Sequence, residues 1–402
     1  MYRTIVVAAL VLSVSCAGKQ SVNVDSHPPV IYYVSPTGSD SNNGTAGAPL
    51  RTIQKAETIV KPGDTVIVKD GIYTDTNSDG DVIKIARGGT AGNWITFKAE
   101  SKWGAVLDCQ NNTANYAIHS ISTHSNYIAF EDFEIKECKK MAAIFNLGEH
   151  DIRFTGNYIH DIARHVDDTL IGLPAVYAGS GARYTFDSNI FHTIGRLNPH
   201  TAPSASEASC TTPPDYVFKG VAYSNLNACY NHDHALYLVS TNNVIVNNIF
   251  YDLKSGWAVM SGGSGDIIVN NTFVGDNPGR LGQILVKKAE TMIANNIFYN
   301  DGDCGILTYS WRCGGSIKNN LFYPHIDILC TSEGRTSKGT WTFSNNISRQ
   351  DPKFVNPTGR DFHLQAGSPA IRNGDAKIAP ELDHDKKRRP KDEHCAIGAY
   401  EH

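Results

Sequence analysis

Several features that mark common functional classes are scarce or missing in this 402-residue sequence. Charged residues make up only 19% and the net charge is −4, so nothing indicates a nucleic-acid partner. The one dense basic run, residues 386–389, lies among acidic residues and is expected to be a solvated loop. No two cysteines have the CxxC spacing, which argues against a zinc ribbon. Methionine is rare, at 4 residues, whereas glycine reaches 35 and Asn-Asn pairs recur, a bias typical of turn-rich β proteins.

The N-terminus has the pattern of an export signal. Arg3 precedes an apolar run from Ile5 to Leu12, and small residues lead to Cys16. The run is too short to span a bilayer as a helix, so residues 1–16 are expected to be a secretory signal peptide.

A lipid anchor is the next expectation. Residues 12–16, LSVSC, resemble the lipobox of bacterial lipoproteins, although Ser13 stands where leucine is usual. We expect lipidation at Cys16, with residues 17–30 as a tether, and ordinary cleavage and release as the alternative. The expected location is the bacterial outer membrane, the periplasm or the extracellular space.

Eight cysteines remain beyond Cys16, an even number that favours disulfides in an exported chain. The sequence leaves their connectivity open. The pairings considered are Cys304 with Cys313 across a local loop, Cys210 with Cys229 around an insertion, and Cys109 with Cys138 and Cys330 with Cys395 as the remaining pairs.

A short phrase of the type "IVNNIFYDL" recurs along the chain and sets the fold class. Its last asparagines lie at positions 157, 189, 248, 271, 296, 320 and 346, with gaps of 32, 59, 23, 25, 24 and 26 residues. A period of 23–26 residues, stretched twice by insertions, indicates a solenoid. Each period holds two short β-rich runs and no amphipathic helix, which predicts a parallel β-helix.

The repeated positions have structural roles in such a fold. The asparagines are expected to stack as an amide ladder at a tight turn. Two residues further on lies a core column, followed by a column in which His160 and His192 are expected to be scaffold rungs. The core column is Ile159, Phe191, Phe250, Phe273, Phe298 and Phe322.

Both ends of the chain resemble a known group. Residues 50–60 have helical apolar spacing and are expected to cap the solenoid. Residues 32–73, from "YYVSPTGSDSNNG" to "DGIY", resemble the opening of secreted bacterial right-handed β-helix proteins of the pectate-lyase-like superfamily. The tail, "DFHLQAGSPAIRNG" with "AIGAYE", resembles the choice-of-anchor-type end of that group. The resemblance implies a right-handed helix over residues 31–355 and a C-terminal capping segment over 356–402.

Stacking the second strands of successive coils predicts where chemistry lies. One column contains Phe145, Tyr177, Tyr237, Met260 and Leu285, and its neighbour contains Ile144, Val176, Leu236, Val259 and Ile284. Side chains alternate along a strand, so the aliphatic column is expected inside and the tyrosines outside, suited to stacking on sugar rings. The alternative is that the tyrosines are core.

The two stretched gaps place insertions next to these tyrosines. Residues 164–173 and 196–231 each precede a strand that carries one of them, and insertions in solenoids form loops on one face. We expect a groove whose floor contains Tyr177, Tyr237, His234, Trp257 and Lys254.

The resemblance implies β-elimination of a uronate glycan, which needs a base, an acid and a carboxylate clamp. His234 or Lys254 is the candidate base and Tyr237 the candidate acid, with His232 and Asp233 in the same catalytic segment. Arginine suits the clamp because its fork matches a carboxylate. The candidate substrate-binding residues are Tyr177, Arg164, Arg183, Trp257, His165 and Lys287. The Lys–Arg pairing of similarly shaped alginate and chondroitin lyases does not transfer, because Ser261 and Gly262 stand at the arginine's place.

Other functions remain open. A glycoside hydrolase would use a carboxylate pair, drawn from Asp161, Asp167, Asp168, Asp233 and Asp252. A non-catalytic glycan-binding or adhesive surface protein is the alternative from another class.

Metal binding is a weaker expectation. Asp167 and Asp168 are candidate metal ligands, and the oxygen-rich loops 38–45 and 74–82 suit Ca²⁺, although plain turn chemistry explains both loops equally well. The expected partner is a polysaccharide substrate, and the protein is expected to be a monomer.

Overall fold

The chain folds as a right-handed parallel β-helix, as predicted. It has three long sheets, whereas the repeat indicated two strands in each coil, because the recurring asparagine phrase contains two strands separated by a tight turn. The computed structural model describes residues 27–402 apart from 112, 164–171, 196–215, 219–220, 224–232, 254–255, 276–281, 301–303, 309–312, 325–326, 332–338, 391 and 393. No helix in this described part is long and apolar enough to cross a membrane.

Each coil contributes one strand to each sheet in turn. The first sheet has eleven strands: Ile31–Val34, Thr65–Val68, Ile95–Ala99, Ile128–Glu131, His150–Thr155, Ala182–Asp187, Val244–Val246, Ile267–Val269, Thr291–Ala294, Gly314–Lys318 and Thr340–Ser344. The second has ten: Gly71–Tyr73, Ala105–Asp108, Glu134–Lys136, Tyr158–Ile162, Ile190–Ile194, Ile249–Tyr251, Thr272–Val274, Ile297–Tyr299, Leu321–Tyr323 and Ile347–Ser348. The third has nine: Asp81–Ile85, Tyr116–Ser120, Met141–Phe145, Val176–Ala178, Leu236–Leu238, Val259–Ser261, Ile284–Val286, Cys304–Thr308 and Asp327–Thr331.

Three antiparallel pairs complete the strands. They are Tyr216–Phe218 with Val221–Tyr223, Phe354–Asn356 with Asp361–Leu364, and Gly374–Asp375 with His394–Cys395.

A short helix, Ile53–Glu57, lies at the first coil, where the apolar spacing predicts one. It is shorter than the predicted segment and buries Ile53 and Ala56. The Thr52 hydroxyl caps it by accepting the Lys55 backbone N–H at 3.0 Å. The Asp40 carboxylate in turn accepts the backbone N–H groups of Arg51 and Thr52.

The predicted asparagine ladder is confirmed. Each ladder asparagine donates from Nδ2 to Oδ1 of the next, at 3.0 Å in all six steps from Asn157 to Asn346. The phenylalanine column is also confirmed, with ring centroids 4.6–5.1 Å apart from Phe191 to Phe322. The amides and rings stack because adjacent coils are one strand spacing, about 4.8 Å, apart.

The predicted histidine rungs are confirmed on the outer side of the second sheet. The rings of His160 and His192 stack with centroids 4.9 Å apart. The Nε2 atom of His192 lies 2.7 Å from the Tyr158 hydroxyl, and burial lowers the pKa of His192 to about 4. His192 is therefore neutral at physiological pH and serves the scaffold.

Only one of the four possible disulfides that the sequence suggested is confirmed in the described residues. Cys109 and Cys138 form a disulfide, whereas Cys313 and Cys395 keep their thiols, so the Cys304–Cys313 and Cys330–Cys395 pairings are wrong. Cys330 is in the third sheet and is disulfide-bonded, but Cys395 packs beside Asn295, at the turn between the other two sheets. The Cys313 thiol is buried and donates to the Val286 carbonyl. The Cys210 and Cys229 positions lie outside the described residues.

A buried carboxylate stands at the turn between the third and first sheets. The Oδ1 atom of Asp266 accepts the backbone and side-chain N–H groups of Asn243, and Oδ2 accepts the Ser261 hydroxyl at 2.6 Å. Burial raises the pKa of Asp266 to about 6, because these hydrogen bonds compensate only part of its desolvation.

We expect Asp266→Asn to stabilise the protein at neutral pH. A raised pKa in the folded state means that folding favours the protonated form, so Asp266 costs stability as pH rises from about 4 to 6. The asparagine amide keeps the Asn243 contacts and carries no charge. The free energy of unfolding should rise by about 3 kcal/mol at pH 7 and change little at pH 4. Urea unfolding at both pH values measures this, and an equal change at both would contradict it. Asp361→Asn is the control of opposite sign, since the hydrogen bond to His363 lowers the pKa of Asp361.

Candidate active site

The outer face of the third sheet carries the predicted tyrosines. Four successive coils pair Val176 with Leu236, Leu236 with Val259, and Val259 with Ile284. All four side chains are fully buried in the core. Tyr177 pairs with Tyr237 in the neighbouring, outward column, and both remain partly exposed. The predicted inward and outward columns are therefore confirmed over these coils.

The preceding coil differs from the prediction by one residue. Ile144, and not Phe145, lies opposite Tyr177, and Phe145 points into the core opposite Ala178. The reason is turn length. Phe145 pairs with Ala178 in the third sheet, and Ile152 pairs with Tyr184 in the first sheet. The chain takes seven residues to go from Phe145 to Ile152, but only six to go from Ala178 to Tyr184. One extra residue reverses which face each side chain occupies.

The two tyrosines form an aromatic pair. Their ring centroids are 5.4 Å apart with planes at 59°. Burial, with the neighbouring Tyr177 as a smaller cause, raises the pKa of Tyr237 above its ordinary value. The Tyr237 phenol therefore keeps its proton at neutral and mildly alkaline pH.

His234 packs against this aromatic pair from the buried side. It is fully buried, and its ring lies 5.2 Å from the rings of both Tyr237 and Trp257. Its Nδ1 accepts the Trp257 backbone N–H at 2.8 Å, which leaves the proton of a neutral ring on Nε2. Gly256 is required here, because a Cβ atom at this position would lie 2.6 Å from Nδ1.

Lys287 reaches the same face from the next coils. It directly follows the strand Ile284–Val286, and its backbone N–H donates to the Ser261 carbonyl at 2.9 Å. The ammonium nitrogen lies 5.9 Å from the centroid of the Tyr237 ring. Burial lowers the pKa of Lys287, which makes its amine easier to deprotonate.

The predicted column of Met260 and Leu285 continues into two further coils through Leu307 and Cys330, which the sequence comparison of coils missed. Met260, Leu285, Leu307 and Cys330 form a buried cluster, against which Tyr237 and Trp257 pack. The strand run "GILT", residues 305–308, carries the signal, since it continues the pattern of the earlier second strands.

Other predicted residues have structural contacts or lie elsewhere. Asp233 is fully buried, and its carboxylate accepts the Leu173 backbone N–H at 3.0 Å, which anchors the end of the first insertion. Arg183 lies in the first sheet, where its guanidinium forms a bidentate contact with the Asp151 carboxylate. This hydrogen bond raises the pKa of Arg183. The described contacts do not bring Arg183 to the tyrosine face.

The carboxylates considered for hydrolysis are dispersed. Asp161 and Asp252 lie at the ends of second-sheet strands, Asp161 2.7 Å from His160 Nδ1 and Asp252 accepting the Thr193 hydroxyl at 3.4 Å. Neither is placed beside Tyr237. The remaining predicted site positions lie outside the described residues: Arg164, His165, Asp167, Asp168, His232 and Lys254.

The oxygen-rich loops have internal partners. In the loop 74–82, Asp75 accepts the Gly80 backbone N–H, and Lys84 pairs with Asp79 at 2.7 Å and Asp81 at 3.6 Å. Within the described ranges, no group of three or more His, Cys, Asp or Glu side chains is arranged for a metal ion.

The fold and this face define a class of protein: a right-handed parallel β-helix whose third sheet presents tyrosine, tryptophan and lysine outward. Residues 32–169 match the family model described as Pel9A-like, right handed beta helix region.

Curated relatives share part of the chain. Pectate lyase L of Dickeya dadantii is 26% identical over 182 residues, which cover 45% of this chain and 35% of that protein. Pectate lyase PEL9 of Emericella nidulans is 37% identical over 76 residues, or 19% of this chain and 18% of that protein. The uncharacterized protein YwoF of Bacillus subtilis is 27% identical over 136 residues, covering 33% and 26%. The matches therefore span about a third or less of these relatives' length.

A solved structure shares the whole fold. The crystal structure of pectate lyase Pel9A aligns with a TM-score of 0.57 over 92% of this chain and 96% of that chain. The sequences are 15% identical, so this likeness shows the fold alone.

Proposed function

We propose that the protein is a polysaccharide lyase that cleaves a uronate-containing glycan by β-elimination on the outer face of the third sheet. The observation that carries the proposal is the placement of Lys287, whose pKa burial lowers, beside Tyr237, whose pKa burial raises. A base that deprotonates readily and an acid that keeps its proton are what this reaction needs. The pectate lyase names of the relatives support the same reaction class.

In the proposed reaction, the neutral Lys287 amine removes the proton from the carbon next to the uronate carboxylate. The electron pair forms a carbon–carbon double bond, and the bond to the glycosidic oxygen breaks. Tyr237 gives its proton to that oxygen. The lysine then holds the abstracted proton and the tyrosine is a phenolate, so a return of the proton between them restores the site.

The remaining residues take supporting roles in this proposal. Tyr177 and Trp257 provide aromatic surface against which sugar rings pack. His234, which the sequence makes a candidate base, is a positioning residue in this proposal, since it is fully buried and its Nδ1 accepts the Trp257 backbone N–H. Lys254 remains a candidate base, Arg164 a candidate carboxylate clamp, His232 a candidate catalytic residue, and Asp167 and Asp168 candidate metal ligands. Export through the N-terminal signal, with a lipid at Cys16, fits an extracellular glycan.

A product assay separates the three function classes. The full chain is incubated with pectate, alginate and chondroitin-type polymers, with added calcium and with a chelator. A lyase produces an unsaturated uronate and a rise in ultraviolet absorption on at least one polymer. Reducing ends without that chromophore would instead establish a hydrolase. Retention in a polymer affinity gel without either product would establish a binding protein and overturn the proposal.

A further inference from the structure

The residue before each ladder asparagine forms a second, outer column. In five repeats it is also asparagine, with left-handed φ between +53° and +57°. We call these five the outer asparagines: Asn247, Asn270, Asn295, Asn319 and Asn345. Left-handed backbone favours Asn and Gly, so turn geometry alone would explain the doublets.

Their side chains do more than shape a turn. The Nδ2 of Asn270 donates to the carbonyls of Ala396 and Gly398, at 3.0 and 3.2 Å. Asn295 exchanges two hydrogen bonds with the backbone of Asp375, at 3.0 and 2.9 Å. These asparagines therefore bind main-chain groups of the C-terminal segment, 100 or so residues away.

Two further outer asparagines extend the contact along the solenoid. Asn319 donates to the Asn373 carbonyl at 3.1 Å, and Asn247 donates to the Leu382 carbonyl at 2.9 Å. Asn247 also accepts the buried guanidinium of Arg389 at 3.0 Å. We call residues 371–399, apart from 391 and 393, the C-terminal strap.

The apolar side chains under the strap belong to the second sheet. Ile249, Val274, Ile297 and Leu321 face outward and are buried in one cluster with Ala396, Ile397 and Ala399 of the strap. The strap thus lies along the side of the helix, where its removal would expose a continuous apolar strip.

The residues of the outer column separate a role in turn geometry from a role in binding the strap. Gly156 occupies the outer column at φ +69° in an earlier coil, so this turn does not require asparagine. Asn345 has the same φ as Asn295, +53°, but is exposed and has no hydrogen bond to its side chain among the described residues. The outer asparagines that form hydrogen bonds are therefore those that lie next to the strap.

We propose that the outer asparagines from Asn247 to Asn319 are a recognition surface for the strap of the same chain, which docks on the formed β-helix as a separable element. Main-chain carbonyls and N–H groups of the strap are the chief partners of the asparagine amides, and the Arg389 guanidinium is the one side-chain partner named above.

Glycine substitutions in the full chain test this, because glycine keeps the left-handed turn and deletes only the amide. Hydrogen exchange measured by mass spectrometry should show exchange of strap peptides about tenfold faster in Asn270→Gly, from the loss of the two hydrogen bonds that Asn270 donates to the strap. Peptides from the strands Ile267–Val269 and Thr272–Val274 should keep their protection. Asn345→Gly is the matched control, and strap exchange should not change in it.

Three results would overturn the proposal. Unchanged strap exchange in Asn270→Gly, or equal acceleration of strap and strands, would mean that the asparagine serves only the turn. A concentration-dependent dimer in which the strap stays protected would show that the surface binds the strap of a second copy instead of its own.

Discussion

Lys287→Met should reduce kcat on the cleaved polysaccharide by about a thousandfold, because a general base contributes about 10²- to 10⁴-fold. The variant keeps the half-buried aliphatic stem but cannot accept a proton. Steady-state rates of double-bond formation measure the effect. Lys288→Met is the matched control, since Lys288 is the exposed neighbour, and its kcat should stay within about twofold of the parent.

Lys287→Arg distinguishes a base from a cation that only binds the substrate. Arginine keeps the positive charge but does not deprotonate in this pH range, so a base role predicts that activity stays lost. Recovery of most activity in Lys287→Arg would assign Lys287 to substrate binding, as the sequence predicts, and would remove it as the base.

The pH dependence follows from the same pair. Activity should rise as pH increases through the lowered pKa of Lys287, because the amine must be neutral. The raised pKa of Tyr237 keeps the acid protonated over that limb. A rate that falls steadily from pH 6 to pH 9 would contradict this assignment.

Asn271→Ala should lower the free energy of unfolding by about 4 kcal/mol. Asn271 is fully buried and donates to Asn296 at 3.0 Å and to the Ile245 carbonyl at 2.8 Å. It also accepts the backbone and side-chain N–H groups of Asn248, at 2.9 and 3.0 Å. Removal leaves several of these groups buried without partners, and each costs about 1–3 kcal/mol.

Asn346→Ala is the matched control for that measurement. Asn346 is the last rung, only partly buried, and donates to the Ile317 carbonyl at 2.8 Å. Water can replace its bonds, so we expect a loss of about 1 kcal/mol. Urea unfolding of both variants gives the difference, and equal losses would show that the ladder does not depend on burial.

Part of the candidate site was predictable from the repeat. The period places Tyr177 next to Tyr237, and strand alternation puts both on the outer face. Both rules depend only on residues within one or two coils, so the sequence is enough to apply them. The burial of His234 under Trp257 was not predictable, because Gly256 in the next coil shapes the space around its ring. The same holds for Arg183, whose partner Asp151 is 32 residues away.

The sequence by itself determined the coil period, the asparagine ladder, the phenylalanine column and the inward aliphatic column of the third sheet. Each of these follows from a local rule that every coil repeats. Only the tertiary structure decided that Phe145 points inward, that Cys313 and Cys395 remain thiols, and that the strap lies on the outer asparagines. These depend on the length of single turns and on contacts between distant segments, and neither leaves a periodic trace in the sequence.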